Sequence, residues 1–135
     1  MVKMMLALGV AMASNAQAYD VMSETNDLIA TYEQLMADPD TDPDQLDVLR
    51  DQLLHPQTDI ELKFNARQND SNVKTAIDGL EQFYNTFDDA LDAYTLILEQ
   101  DTPDQTQLSA ARQDIINKRQ QFAQMIADKA KSVGL

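Results

Sequence analysis

Two proline-containing breaks, ADPDTDPDQ and QDTPDQTQ, divide this chain into long stretches with helical periodicity. In the first break Asp42 is a favourable N-cap residue and Pro43 suits the first helical position. In the second break Thr102 and Pro103 repeat that pattern. Each break therefore predicts that one helix ends and a second helix begins within a few residues, as in a helical hairpin.

Between these breaks, apolar residues recur at intervals of three or four, as on one face of an α-helix. The pattern predicts helix A over about 20–37, helix B over about 43–55, helix C over about 73–99 and helix D over about 103–132. Residues 56–72 are polar and lack this periodicity, and they are predicted to form a long irregular connection. The predicted inward-facing residues are Met22, Thr25, Ile29, Tyr32, Met36, Leu46, Leu49, Leu53, Leu54, Ile77, Leu80, Tyr84, Phe87, Leu91, Tyr94, Leu98, Leu108, Ala111, Ile115, Phe122, Ile126 and Val133.

Two helical hairpins joined by a longer connection predict an all-α fold, an antiparallel up-down-up-down four-helix bundle. The composition agrees, because the chain of 135 residues contains only three glycines and four prolines. Its length suits a single domain with one core. It has no cysteine, so disulfides and thiolate metal ligands are excluded.

The first eighteen residues, MVKMMLALGVAMASNAQA, have the pattern of a secretory signal peptide. Lys3 precedes a short apolar run, and Ala16 and Ala18 supply the small residues that a signal peptidase requires. We expect cleavage after Ala18 and a four-helix domain over 19–135. The apolar run is short for a membrane span, so no span is expected after cleavage.

A second interpretation of the N-terminus remains open. Apolar residues keep a heptad-like spacing from Met4 to Met36, straight through the predicted cleavage position. Residues 4–37 could therefore form one retained helix, as in a secreted assembly subunit. The leader pattern favours cleavage.

The formal net charge of −13, from 23 acidic and 10 basic side chains, restricts the partners. It disfavours nucleic acid, whose phosphates repel an acidic surface. It favours a basic redox or binding partner.

Catalytic motifs are missing from the sequence. A single histidine, His55, cannot supply a Cys-His or Ser-His-Asp set, and no Gly-rich phosphate loop occurs. The sequence also lacks the Glu-x-x-His motifs of di-iron bundles. We therefore do not expect an enzyme.

Three stretches, taken with the leader, resemble the soluble cytochrome b562 family of periplasmic haem proteins. YDVMSETNDLIATYEQL resembles the first helix of that family, GLEQFYNTFDDALDAY the third helix, and QDIINKRQQFAQ the closing segment. The resemblance implies a periplasmic four-helix bundle that binds haem b and transfers electrons. It covers about 20–126 and is weak over 56–72.

The resemblance also assigns the haem ligands. The family's early methionine corresponds to Met22. In its closing segment an arginine and an aromatic residue precede the second ligand, a histidine; they correspond to Arg119 and Phe122. The position of that histidine holds Ala123, which has no lone pair to offer iron.

The alanine favours a haem-free binding or structural module over an electron carrier. The alternative is an electron carrier that uses Met22 with a substitute ligand. His55 is the candidate, because the end of helix B and the start of helix A share one end of an up-down-up-down bundle.

Overall fold

The computed structural model describes the backbone of residues 13–135 and the side chains from residue 21 onward. Over this part of the chain it contains five helices and no strand. Most of the predicted signal peptide, 1–18, lies outside the described residues, so cleavage after Ala18 stays a prediction. The helices are α1 (Ala13–Ala37), α2 (Pro43–Leu54), α3 (Thr58–Ala66), α4 (Ser71–Leu98) and α5 (Gln105–Ser132).

Aspartate side chains cap three of the helices. Asp42 accepts a hydrogen bond from the backbone N–H of Asp44, with Pro43 at the first helical position as predicted. Asp70 caps α4 in the same way. Helix α5 begins later than predicted, because the cap is Asp104 rather than Thr102. A carboxylate at a helix start accepts hydrogen bonds from backbone N–H groups that have no partner within the helix. Its negative charge also interacts favourably with the positive end of the helix dipole.

The predicted irregular connection, 56–72, is wrong in one respect, because it contains helix α3. Ile60, Leu62 and Phe64 alternate in the sequence and do not suggest a helix. In the structure Phe64 is buried and Ile60, four residues earlier, packs against the same core, whereas Leu62 is 61% exposed. Two apolar residues four apart are enough to hold a short helix when a neighbouring helix covers them.

One core runs through the molecule. Helix α5 packs against α1, α3 and α4, and α2 packs against α1 and α4. The order of contacts along α4 and α5 is reversed: Lys129 lies against Gly79, and Phe122 lies against Phe87. These two helices therefore run in opposite directions. The fully or almost fully buried apolar residues are Ile29, Tyr32, Leu53, Leu54, Phe64, Val73, Ala76, Leu80, Phe87, Leu91, Tyr94, Leu108, Ile115, Phe122, Ala123, Ile126 and Ala130.

A polar network joins α1, α4 and α5 near the C-terminal ends of α1 and α4. Arg112 donates two hydrogen bonds to the Glu33 carboxylate, and the buried Tyr94 hydroxyl donates a third at 2.6 Å. The Arg112 hydrogen bonds lower the pKa of Glu33, against the opposing effect of burial. Burial, followed by the hydrogen bond to Glu33, raises the pKa of Tyr94. Tyr32 completes the network through a hydrogen bond of 2.9 Å to the Thr95 hydroxyl.

Within residues 13–135, no helix combines the length and apolar character needed to cross a bilayer.

Candidate functional site

The largest fully buried side chain belongs to Arg119 on α5, which is 1% exposed. Its Nε donates to the Leu53 carbonyl at 2.9 Å, and one terminal nitrogen donates to the Gln52 carbonyl at 3.0 Å. The same terminal nitrogen lies 2.5 Å from the Glu24 carboxylate, and the other donates to the Thr25 hydroxyl at 3.0 Å. We call this set of residues the Arg119 network.

The Arg119 network joins three helices at one point. The carbonyls of Gln52 and Leu53 belong to the last turn of α2, where carbonyls run short of helical N–H partners; the Gln52 carbonyl accepts only a long 3.4 Å bond from the backbone N–H of His55. A guanidinium placed there donates hydrogen bonds to these carbonyls, and its positive charge interacts favourably with the negative end of the α2 dipole. Burial lowers the pKa of Arg119, while Glu24 opposes that effect, and an arginine side chain stays protonated in proteins.

Four aromatic rings gather beside the Arg119 network. Phe122 lies at the centre, with ring centroids 5.7 Å from Phe83, 6.1 Å from Tyr84 and 6.2 Å from Phe87. Phe87 and Phe122 are buried, and Phe83 and Tyr84 are half-buried. We call these four residues the aromatic cluster. It packs between α4 and α5, around the residue that precedes Ala123.

His55 follows the last residue of α2 and lies at the edge of the aromatic cluster, 5.6 Å from Tyr84 between ring centroids. Its Nδ1 is 2.7 Å from a carboxylate oxygen of Glu61, and its Nε2 is 3.4 Å from Asp51. The hydrogen bond to Glu61 raises the pKa of His55 above 6.5, partly opposed by burial, and the charges of Glu61 and Asp51 add to the increase. Both ring nitrogens therefore already face carboxylates.

The structure brings together several of the residues singled out in the sequence. His55 is linked to Phe122 through Tyr84, as expected if the end of helix B lies near the closing segment. Phe122 and Ala123 are both buried, at 3% and 5% exposure. Met22 is 41% exposed, so its side chain does not take the buried position predicted for it.

These residues do not fit haem b. The position expected to supply histidine carries only the Ala123 methyl group. His55 would have to lose Glu61 or Asp51 to offer a nitrogen lone pair to iron. The Arg119 guanidinium is directed at backbone carbonyls of α2 and is fully buried. Among the residues with described side chains, no group of three or more histidine, aspartate and glutamate side chains could hold a metal ion.

The sequence did not predict that Glu24 pairs with Arg119 or that Glu61 pairs with His55. Both are ordinary acidic residues of a highly acidic chain, so neither carries a distinctive signal. Arg119 did carry one, because it lies four residues after Ile115 and seven before Ile126. That spacing places it on the buried stripe of α5.

Comparison with protein families, with curated proteins and with solved structures finds no match to this chain. The resemblance to the cytochrome b562 family therefore depends only on the three quoted stretches and the leader.

Proposed function

We propose that this chain is a haem-free four-helix bundle of the cytochrome b562 type that acts as a periplasmic binding module for a basic partner. It is not proposed as an enzyme. The observation that carries the haem-free assignment is that the expected histidine position holds a buried alanine, Ala123, while its neighbour Phe122 is packed among aromatic rings. The periplasmic location rests on the signal peptide predicted over 1–18.

Contacts between helix pairs support an antiparallel up-down-up-down arrangement of α1, α2, α4 and α5. Along α5, Arg112 bonds to Glu33 and Arg119 to Glu24, so positions on α1 fall as positions on α5 rise. Between α2 and α4, Arg50 bonds to Asp88, and His55, later in the chain, lies against Tyr84, earlier on α4. These two helices therefore also run in opposite directions. In this arrangement α3 is an additional helix within the connection, packed on α5.

Replacement of Ala123 by histidine tests the haem-free assignment. We expect that Ala123→His gives no low-spin haem spectrum, because position 123 is already buried at 5% exposure. We also expect the larger side chain to lower the free energy of unfolding by about 1–3 kcal/mol. The measurement is absorption spectroscopy after haem is added to the purified protein, together with urea unfolding.

Ala110→His is the matched control, because Ala110 is an exposed alanine on the same helix. It should leave the free energy of unfolding within about 0.5 kcal/mol of the parent value. A sharp Soret band with split visible bands on reduction would contradict the haem-free assignment if the parent chain gave it. The same spectrum in Ala123→His alone would contradict the expectation that the pocket is filled. In the parent chain, such a spectrum would support the electron carrier that uses Met22 with His55.

The preference for a basic partner is supported by the distribution of charge at one end of the molecule. Tyr32 near the end of α1 bonds to Thr95 near the end of α4, so the turns that follow these helices lie at the same end. No lysine or arginine occurs in 38–49 or 95–111. We call the exposed carboxylates of these turns the acidic pole: Asp38, Asp40, Asp42, Asp44, Asp47, Glu99, Asp101 and Asp104.

Two further features make the acidic pole suitable for a basic and partly apolar partner. Helices α1 and α4 both end there without a basic residue in the last turn, so no basic side chain of those turns offsets the carboxylate charge. Leu96 is 64% exposed and Val48 is 56% exposed on the neighbouring helical turns. An amphipathic segment rich in lysine and leucine has the complementary chemistry.

Titration of the isotope-labelled full chain with a lysine- and leucine-containing amphipathic peptide tests this surface. We expect NMR shift changes confined to 38–48 and 95–104, and weaker binding at higher salt because exposed charges are screened. The same peptide with glutamate in place of lysine should not bind. Shift changes spread over α3 or the first half of α4 would contradict the proposed surface.

Charge-matched triple variants separate the acidic pole from the net charge. One variant neutralises three pole residues whose side chains make no cap hydrogen bond: Asp40→Asn, Asp44→Asn and Glu99→Gln. The control variant neutralises three exposed carboxylates of α4 away from the pole: Asp78→Asn, Glu81→Gln and Asp89→Asn. We expect the first variant to bind the basic peptide more weakly than the second. Equal binding would show that the partner responds only to overall charge.

A further inference from the structure

Helix α3 is held to the rest of the molecule by few interactions. It is nine residues long, and no side chain caps its first turn. Phe64 is its only fully buried side chain, and Ile60 is partly buried. It packs mainly on α5 and is joined to α2 and α4 by the short non-helical segments 55–57 and 67–70. Short helices of this kind depend on tertiary contacts for their stability.

One ion pair supplies much of the attachment of α3 to α2. Glu61 on α3 places one carboxylate oxygen 2.7 Å from Nδ1 of His55. The Glu61 side chain is 22% exposed, and its second oxygen is buried without a hydrogen-bond partner. A partly buried carboxylate of this kind depends strongly on its one ion-pair contact, here with His55. Thr58 adds a weaker hydrogen bond of 3.2 Å to the His55 carbonyl.

The protonation state of His55 decides how many carboxylates it can satisfy. A protonated ring donates from both nitrogens, to Glu61 and toward Asp51. A neutral ring keeps one N–H, so one carboxylate loses its donor and the bond to the other loses its charge assistance. The other groups that bear on this pair are the Tyr84 ring on α4 and the positive charge of Arg119 on α5, which acts on Glu61.

We propose that α3 is a strap that is latched by protonated His55 and released when His55 loses its proton. Release exposes the apolar face of α3, Ile60 and Phe64, together with the part of α5 that it covers. The strap acts separately from the acidic pole, since Glu61 and His55 lie on the side of the molecule that contains the Arg119 network. The strap does not depend on whether the chain binds haem or a basic partner.

The direction of the pH effect follows from the geometry. The pKa of His55 is raised above 6.5 in the latched state by its hydrogen bond to Glu61. Proton binding therefore favours the latched state, and this contribution is fully present below pH 6.5. It is lost as the pH rises through the higher pKa of the latched state. The strap opens more often in mildly alkaline than in mildly acidic solution.

Hydrogen exchange of the full chain measures this opening. We expect the opening equilibrium of residues 62–66, after correction for the intrinsic pH dependence of exchange, to rise about fivefold between pH 6 and pH 9. This is the ratio expected when a charge-assisted hydrogen bond becomes a neutral one. The amides of α4 and α5 should not show this increase. Opening of all helices together, or an α3 opening independent of pH, would overturn the proposal.

Two variants identify the latch, and a third is a control. Glu61→Gln keeps the shape of the side chain but removes its charge, and His55→Phe keeps a ring against Tyr84 but removes both nitrogens. In both variants α3 should open about as often at pH 6 as the parent chain does at pH 9. Asp51→Asn, which removes the more distant and 75% exposed carboxylate, should retain most of the pH dependence. The proposal fails if Glu61→Gln opens with the same pH dependence as the parent chain.

Discussion

Replacement of Phe122 by alanine is expected to lower the free energy of unfolding by about 3–5 kcal/mol. Phe122 is 3% exposed and contacts three other aromatic rings on α4. The substitution removes the central ring of the aromatic cluster and leaves a cavity that Ala123 and the α4 side chains cannot fill without moving. It also removes edge and stacked ring contacts, which contribute about 0.5–1.5 kcal/mol each beyond the buried area.

Urea unfolding followed by circular dichroism measures this loss. Phe83→Ala is the matched comparison, because Phe83 belongs to the same cluster but is half-buried, and it should cost about half as much. Leu96→Ala, at a side chain 64% exposed, should change the free energy of unfolding by less than about 0.5 kcal/mol. A Phe122→Ala loss no larger than the Leu96→Ala loss would show that α4 and α5 do not pack as described.

Much of the helical organisation could be predicted, because capping and periodicity are local properties of the sequence. Asp42 and Pro43 fixed the start of α2 correctly, and the end of α1 at Ala37 agrees with the break in periodicity. The start of α5 was misplaced because Thr102 and Asp104 are both good caps. The sequence alone does not show which of them faces the free N–H groups.

Helix α3 could not be predicted, for a physical reason. A nine-residue helix has little stability by itself, and its apolar residues alternate as they would in a strand. Its helical form depends on the surface of α5 that covers Phe64 and on the pairing of Glu61 with His55. Both are contacts of α3 with residues outside that helix. The periodicity of a sequence describes one helix at a time and carries no information about such contacts.

Burial of the three closing-segment residues is consistent with the sequence, whereas the contacts that they make were not predicted. The resemblance singles out Arg119, Phe122 and Ala123, and all three side chains are buried. The predicted inward position of Met22 is wrong, because its side chain is 41% exposed. The use of the Arg119 guanidinium to satisfy α2 carbonyls depends on the approach of two helices, which a sequence motif does not specify.

Replacement of Arg119 by methionine is expected to lower the free energy of unfolding by about 2–4 kcal/mol. Methionine keeps an unbranched apolar stem of similar shape but removes the donor to the Leu53 carbonyl and the closer of the two donors to the Gln52 carbonyl, which keeps the His55 N–H at 3.4 Å. The Thr25 hydroxyl also loses its bond from Arg119. Unsatisfied polar groups in the core cost more than the hydrogen bonds themselves contribute. The loss should appear as a lower urea midpoint with an unchanged slope.

The source of that loss can be separated by three further variants. Arg119→Lys keeps a positive charge near Glu24 but cannot donate to all four partners, so it should recover only part of the loss. Glu24→Gln should cost less than about 1 kcal/mol, because the Glu24 side chain is 58% exposed and its pairing is weakened by water. Arg67→Met removes an exposed arginine that lies 3.7 Å from the Asp70 carboxylate, and it should have almost no effect on the free energy of unfolding.

If Glu24→Gln cost as much as Arg119→Met, the ion pair rather than the α2 carbonyls would account for the buried arginine. The expected order, with Arg119→Met far larger than Glu24→Gln, would instead show that Arg119 stabilises the fold mainly as the cap of α2.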